Sequence, residues 1–543
     1  MFSNGITRKD FLAATFAAGI GSVSTWGQTS AAQSPSSGSS SGPAREHAPG
    51  TFNVLTFGTT GDGKTLDTPA INKAIEAAAA AGGGTVHFPA GTYLCYSIRL
   101  KSSVALYLDA GATILAASVP PEGTTTGGYD PAGPPQPWEQ FQDFGHNHWH
   151  NSLLWGEDLH DVAILGPGLI WGKGLSRGER NELPRAESPG VGNKAIALKN
   201  CRNVILRNFS ILQGGHFGIL LTGVDNVTID GLKIDTNRDG MDIDCCKNVR
   251  VSNCTVNSPW DDAICPKSSF ALGYARTTEN VTISNCYVTG IYDYGTLLDG
   301  TFKRMQYPAG GRSPIGRIKC GTESNGGFKN ITISNCIFES CRGLALETVD
   351  GAQIEDIAIT NITMRGVVHS PLFLRLGARM RGPQGAAPGV LKRVLISNIV
   401  SSNAAAEYPS IISGIPGSYI EDVKIADVYL QQLGGGTKEW AALSPPEKEN
   451  AYPEASMFGT LPARGFFIRH ARNVEFSNIE IATVQPDARA AFWMQDVDSA
   501  DLFRVKGGRN TVAYALKDIK DFRSFGSPDF PDRREENINS LEF

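Results

Sequence analysis

A short phrase recurs along this 543-residue chain and constrains its fold more than any other feature. It reads NVILRNFSIL from Asn203, NVTIDGLKI from Asn226, NVRVSNCTV from Asn248, NVTISNCYV from Asn280 and NITISNCIF from Asn330. Weaker copies begin at Asp356, Arg393, Asp422 and Asn473. Within each copy apolar and polar residues alternate, which is the period of a half-buried strand. The closest copies start 23 and 22 residues apart, and wider gaps imply loops inserted between strands. Short strands at a fixed period, with Gly and Asn at the bends, predict a stacked coil. The expected fold is therefore all-β, a single-domain right-handed parallel β-helix. The repeated asparagines read as architecture, because side-chain amides at bends satisfy turn backbone.

A coil grows in one dimension, which accommodates a chain too long for an average single core and lacking a clear composition break. Residues 51–525 are expected to form it. Residues 1–32 read as an export signal: Arg8 and Lys9 precede a short apolar run, and TRKDFL resembles a twin-arginine motif. Residues 33–50, rich in Ser, Pro and Gly, read as a flexible leader, and residues 526–543 as a polar tail. The expected location is periplasmic or extracellular. No stretch is long and apolar enough for a membrane span. The stretch DTPAINKAIEAAAAA, residues 67–81, is the one good helical segment, stopped by three glycines, and is expected to cap the N-terminal end of the coil. A formal charge of −5 argues against a nucleic-acid partner, and a monomer is expected.

Ten cysteines in an exported chain suggest disulfides, but Cys254, Cys286 and Cys336 occupy the same place in the repeat. Equivalent positions of a coil stack inward, where free Cys packs as a small apolar residue. Bridges from Cys336 to Cys341, or from Cys245 or Cys246 to partners elsewhere, stay open. No C-x-x-C pair or Cys/His cluster points to a metal, and no cofactor is expected. Residues 120–151 and 434–464 break the period. Their aromatics (Tyr129, Trp138, Phe141, Phe144, Trp149, Trp440, Tyr452 and Phe458) either stack on sugar faces or pin the loops to the coil.

Chemistry concentrates in TNRDGMDIDCCKNVRVSNCTVNSPWDDAICPKS, residues 236–268. Asp239 and Asp261 lie 22 residues apart, one repeat, so stacking brings them and Asp262 to one face, about 4.8 Å between coils. A water or a glycosidic oxygen fits between such carboxyls. Crowding raises the pKa of one of them, which can then donate a proton while another accepts one. An inverting pair needs roughly 6.5–9.5 Å between carboxyls to hold the water. The competing reading is aspartates in turns or a calcium site.

The stretch NVLTFGTTGDGKTLDTPAINKAIEAAAAAGGGTVHFPAGTYL, followed by SIRLKSSVALYLDAGATIL, resembles the opening of pectin-degrading β-helix enzymes. The repeats, NRDGMD and WDDAI sharpen the resemblance to glycoside hydrolase family 28, the polygalacturonase-like hydrolases, over residues 52–510 or so. It implies a pectic poly- or oligosaccharide substrate, inversion, Asp261 as general acid, and Asp239 with Asp262 as the pair that deprotonates water. The family's Gly-His-Gly is missing after Asp262. Arg317-Ile318-Lys319 matches its substrate-binding R-I-K literally. In a second register IGRIKCGTES takes the Gly-His-Gly coil, and GLALETVDG takes the R-I-K coil with Glu347 in place of lysine. In either register Arg317 and Lys319 alternate on one strand face and are expected to grip an anionic sugar. His216, one turn before Asp239, and Asp242, Lys267, Glu323, Glu347 and Arg375 complete the expected substrate contacts, with Asp299 a weaker candidate. The two long loops point to exo action. A pectate or rhamnogalacturonan lyase and a non-catalytic carbohydrate-binding β-helix are the rival readings.

Overall fold

Alternation in the repeat becomes alternation of burial in the computed structural model, which describes residues 50–118, 128–143, 145–177, 188–307, 311–508 and 511–543. The chain winds as a right-handed parallel β-helix whose coils carry three lines of strands. One line joins Arg202–Arg207, Asp225–Asp230, Lys247–Ser252 and Thr278–Ser284. A second joins Ser210–Leu212, Lys233–Asp235, Thr255–Asn257 and Tyr287–Thr289. The third runs through Lys194–Lys199, Phe217–Thr222, Asp239–Asp244 and Ile264–Lys267. It continues through Lys319–Cys320, Leu344–Thr348 and Leu372–Leu376.

Register does the packing. Ile219, Met241, Ile264 and Ile318 stack coil over coil, all fully buried. Each such side chain contributes about 1.5–3 kcal/mol of transfer free energy. Asn203, Asn226, Asn248, Asn280 and Asn330 take left-handed φ of 53–58° at equivalent bends, a region Asn tolerates better than other side chains. Their amides bond from coil to coil in two runs: Asn226 Nδ2 donates to Asn203 Oδ1 (2.8 Å), and Asn330 Nδ2 donates to Asn280 Oδ1 (2.8 Å), whose own Nδ2 donates to Asn248 Oδ1 (2.9 Å).

The helix Thr68–Ala80 buries Ile71, Ala74, Ile75 and Ala78 in the core beside the first strands. The stretch read as a polar tail is not one: Arg533–Glu542 pairs antiparallel with Tyr514–Phe525, with Ile519 opposite Ile538. The tail reading failed because that strand is charge-rich and mostly exposed, as an edge strand is when it is built to resist further pairing. The export segment, nearly all of the leader, and Phe144 lie outside the described residues. No helix among the described residues is long and apolar enough to cross a membrane.

All ten cysteines are free and buried, so the open bridges at Cys336–Cys341, Cys245 and Cys246 do not form. Cys254, Cys286 and Cys336 each lie 3.2–3.3 Å from the carbonyl two residues before, in equivalent coil positions. Ten thiols are therefore expected to react in denaturant and almost none in the folded protein, and reductant should leave the melting temperature unchanged. A thiol count below ten in denaturant, with a loss of stability on reduction, would contradict this packing.

Candidate active site

The third strand line carries the acidic cluster. Asp239 opens the strand Asp239–Asp244, and Asp261 and Asp262 lie in the bend before Ile264–Lys267. Met241 pairs with Ile264, and the Gly240 N–H donates to the Asp262 carbonyl (2.9 Å). Asp262 is thus the in-register partner of Asp239, and Asp261 precedes it by one residue. Glycine follows Asp239 because a Cβ there would collide with the Ala263 carbonyl oxygen. One oxygen from each of the three carboxyls lies within 4.8 Å of the others. These nearest oxygens are closer than the roughly 6.5–9.5 Å expected between the carboxyls of an inverting pair. Neighbouring cations permit the approach.

Those cations differentiate the acids. Burial alone would raise the Asp262 carboxyl, but Lys319 and then Arg317 pull it down to about 2. Arg317 Nε donates to Asp262 Oδ1 (2.9 Å), and Lys319 Nζ meets the other oxygen. Among the described residues Asp239 forms no such ion pair, and only the more distant charge of Lys267 favours its ionised form. Burial first, then the charges of Asp242 and Asp261, hold its carboxyl well above the usual range. Asp261 is more exposed and accepts from Arg238 Nη2 (2.8 Å). One carboxyl is kept ionised and one is driven toward its neutral form, the division of labour that acid–base chemistry needs.

A second buried cluster adjoins Asp239. His146 lies between Asp242 (Nε2 to Oδ2, 3.1 Å) and Glu323 at its Nδ1, with Lys267 Nζ 3.8 Å from both carboxylates. Burial opposes the imidazolium, yet Glu323 above all pushes its pKa up to about 10. Asp242, Lys267 and Glu323, expected as substrate contacts, balance charge around His146.

The register of the following coil is settled by Ile264 pairing with Ile318 and Lys319 with Ala345. The 316–325 segment therefore stacks directly on the aspartates, and Glu347 occupies the coil after it. Arg317 and Lys319, expected to grip an anionic sugar, have their charges taken by Asp262. Arg317 also donates to Glu454 (Nη2 to Oε1, 2.7 Å). Glu347 is fully buried 3.6 Å from Arg317, and burial raises its carboxyl to about 7. His216 is buried with Nδ1 2.6 Å from the Arg177 carbonyl, and burial, then Arg238, holds it well below its ordinary pKa. Arg375, expected as a substrate contact, lies beneath the 434–464 loop. It is buried and donates to Ser413 Oγ (2.9 Å), Gly414 O (2.9 Å) and Lys448 O (3.0 Å), tying down the 434–464 loop. Asp299 ends the short helix Thr296–Asp299 at the surface and accepts from Thr301 N and Oγ1 (2.8 and 2.7 Å).

Both long loops converge on the 316–325 coil, and this the sequence reading missed at residue level. From 128–151, the Asp143 N–H donates to Glu323 Oε1 (2.7 Å) and His146 enters the buried cluster. From 434–464, Glu454 joins Arg317 and Arg342 (Nη1 to Oε1, 2.6 Å). His369 lies 3.6 Å from Glu454, and burial keeps its pKa low. Most of the loop aromatics serve as pins. The Tyr129 hydroxyl bonds Ala117 O (2.9 Å), Trp138 Nε1 bonds Ala271 O (3.1 Å), Trp149 Nε1 bonds Thr222 Oγ1 (3.1 Å), and Phe458 packs on Phe467. Tyr452 is the exception at 49% exposed, its hydroxyl 3.1 Å from Thr322 Oγ1. Among the described residues two groups have spacing that suits a cation: Asp239, Asp261 and Asp262, and Asp143, His146 and Glu323. In both, lysine or arginine already neutralises carboxylates.

Residues 51–134 match the family described as rhamnogalacturonase A/epimerase, pectate lyase-like, and residues 180–307 match the right-handed β-helix region family. A probable polygalacturonase of Vitis vinifera is 25% identical over 329 residues, 58% of this chain and 60% of that protein. The match thus spans less than two thirds of that relative's length. An exopolygalacturonase of Arabidopsis thaliana is 23% identical over 411 residues, covering 72% of this chain and 82% of that one. The chain is thus similar to polygalacturonases and carries the right-handed β-helix region. Within solved structures, a family 28 exopolygalacturonase of Yersinia enterocolitica superposes with a TM-score of 0.62 at 20% identity, over 85% of this chain and 79% of that one, which places the shared fold.

Lys319→Met tests the pairing in this site. Asp262 titrates near 2 when folded, below the ordinary value of about 3.9. Its ion pairs therefore stabilise the fold fully above that ordinary value, and the contribution is lost as pH falls toward 2. The variant should be destabilised by about 3–5 kcal/mol at pH 7, with the deficit shrinking as pH falls below 4. Thermal melts across pH check this; a deficit independent of pH would show that Lys319 does not act through ionised Asp262.

Proposed function

We propose that this protein is an exported glycoside hydrolase that cleaves glycosidic bonds of pectic poly- or oligosaccharides, acting from a chain end as a monomer. The observation that carries the reading is the split among three adjacent carboxyls. Asp262 is held ionised by Arg317 and Lys319, while burial and like charges favour a proton on Asp239. Asp262 is the base that takes a proton from water as its oxygen attacks the anomeric carbon. The bond to the leaving oxygen breaks as that oxygen receives a proton from the cluster. Asp261, the more exposed member, is the donor, and Asp239, with an oxygen within 4.8 Å, holds the resting proton. Displacement by water in one step inverts the anomeric carbon. The names of the relatives support a pectic substrate, and the two loops meeting on the 316–325 coil support exo action by walling the cleft beyond the aspartates.

Asp262→Asn is expected to lower kcat of the folded protein by about 10³-fold or more, and to lower stability as well, because Arg317 and Lys319 lose an ionised partner. Asp261→Asn should lose comparable activity on natural linkages and regain much of it on an aryl glycoside whose leaving group needs no proton. If Asp239→Asn shows that rescue and Asp261→Asn does not, the donor is Asp239. Proton NMR of the first product should show the inverted anomer, and chromatography of early digests should show single terminal units; retention, or a random ladder of fragments, would overturn the respective part of the proposal. Activity should survive chelation, and no ultraviolet-absorbing unsaturated product should form, which separates hydrolysis from lyase chemistry.

A further inference from the structure

The patch beside the aspartates under the 434–464 loop has an unusual charge balance. Three cations, Arg317, Lys319 and Arg342, meet three carboxyls, Asp262, Glu347 and Glu454. Arg317 directs Nε to Asp262 (2.9 Å), Nη2 to Glu454 Oε1 (2.7 Å) and Nη1 to Glu454 Oε2 (3.4 Å), so its donor fork is occupied by protein oxygens. Arg342 shares the same Glu454 oxygen (2.6 Å). A sugar carboxylate arriving here would meet arginines already bonded and would sit against Glu454 and Glu347. Like-charge juxtaposition of this kind is unfavourable where water is excluded. Tyr452 adds an exposed ring at the rim, beside Thr322, and aromatic faces hold the C–H face of a sugar irrespective of charge.

We infer that Glu454 is a specificity determinant that neutralises the Arg317–Arg342 pair, so the subsite under the 434–464 loop takes an uncharged sugar residue and rejects a uronate. This rests on the hydrolase reading for the bond that is cut, but the charge preference is readable by binding alone. Glu454 is contributed by an inserted loop 137 residues from Arg317, so the balance is a property of the loop and can be altered without touching the coil.

The test uses a pair of pectic oligosaccharides of one linkage, identical except that the uronate is a free acid in one and a methyl ester in the other. Calorimetric affinity and kcat/KM are measured for the full-length wild type, for Glu454→Gln, and for Glu454→Gln combined with Arg342→Gln. Wild type should favour the ester by about tenfold or more. Glu454→Gln frees a guanidinium and should move the ester-to-acid ratio toward the acid by about tenfold or more, and adding Arg342→Gln should move it back. The double variant guards against a mere folding defect, since a misfolded single variant would not recover its preference. Preference of the wild type for the acid, an unchanged ratio in Glu454→Gln, or binding of neither form would each overturn the inference. If the ester binds with the expected switch and no bond is cleaved, the hydrolase reading fails and the charge assignment stands.

Discussion

In-register stacking of the third strand line makes neighbours of residues 22 or more positions apart and repeats that neighbourhood every coil. Charges on this line cannot avoid one another, because adjacent parallel strands are only about 4.8 Å apart. Asp239, Asp262, Arg317 and Glu347 occur on successive coils, so each carboxyl's state depends on what the next coil presents. Asp262 is followed by a coil bearing Arg317 and Lys319 and stays ionised. Asp239 is packed among Asp242, Asp261 and Asp262 and is pushed toward its neutral form. The site is thus a consequence of coil order, and shifting the 316–325 coil by one residue would turn Arg317 and Lys319 to the opposite face.

Burying so many ions is costly unless each is paired and hydrogen-bonded. The loops supply what the coil lacks. His146 brings a cation between Asp242 and Glu323, and Glu454 brings an anion between Arg317 and Arg342. Each loop is in turn held at several points away from the site: Trp138 and Trp149 on one side, Arg375 and Arg469 on the other. Loop position and site electrostatics are therefore one problem, and a loop lifted from the coil would leave buried charges without partners.

This explains which parts were legible in the sequence. The coil was legible because its asparagines and alternating apolar residues repeat at a fixed period. The acids were legible because the same period placed Asp239 beside Asp261 and Asp262. Even the register of the altered coil was available, by counting back from the strand that begins near Phe328. His146 and Glu454 were not legible. They reach Glu323 and Arg317 across 177 and 137 residues of chain, from segments with no period to count. Arg375 shows the same limit: the apolar residues before it suggested a reach toward the cleft, and nothing in the sequence showed that the 434–464 backbone folds over it and takes its donors. The final strand was missed because exposure and charge, the marks of a tail, are also the marks of a protected edge.

Glu347 shows how closely the coil order and the loop chemistry are joined. It sits one coil beyond Lys319, buried, with Thr322 Oγ1 3.0 Å from one oxygen. Burial raises its carboxyl to about 7, Lys319 and Arg317 restrain the rise, and Glu454 adds to it. A group balanced this way is ionised only in part near neutrality, so the positive charge left on Arg317 and Lys319 depends on how much of it Asp262 and Glu454 have already taken. Glu454 thus acts twice: it occupies the Arg317 fork directly, and by its own charge it keeps Glu347 closer to neutral. The strength with which Asp262 is held ionised then follows from a competition among three carboxyls for two cations, two of the carboxyls belonging to the coil and one to a loop.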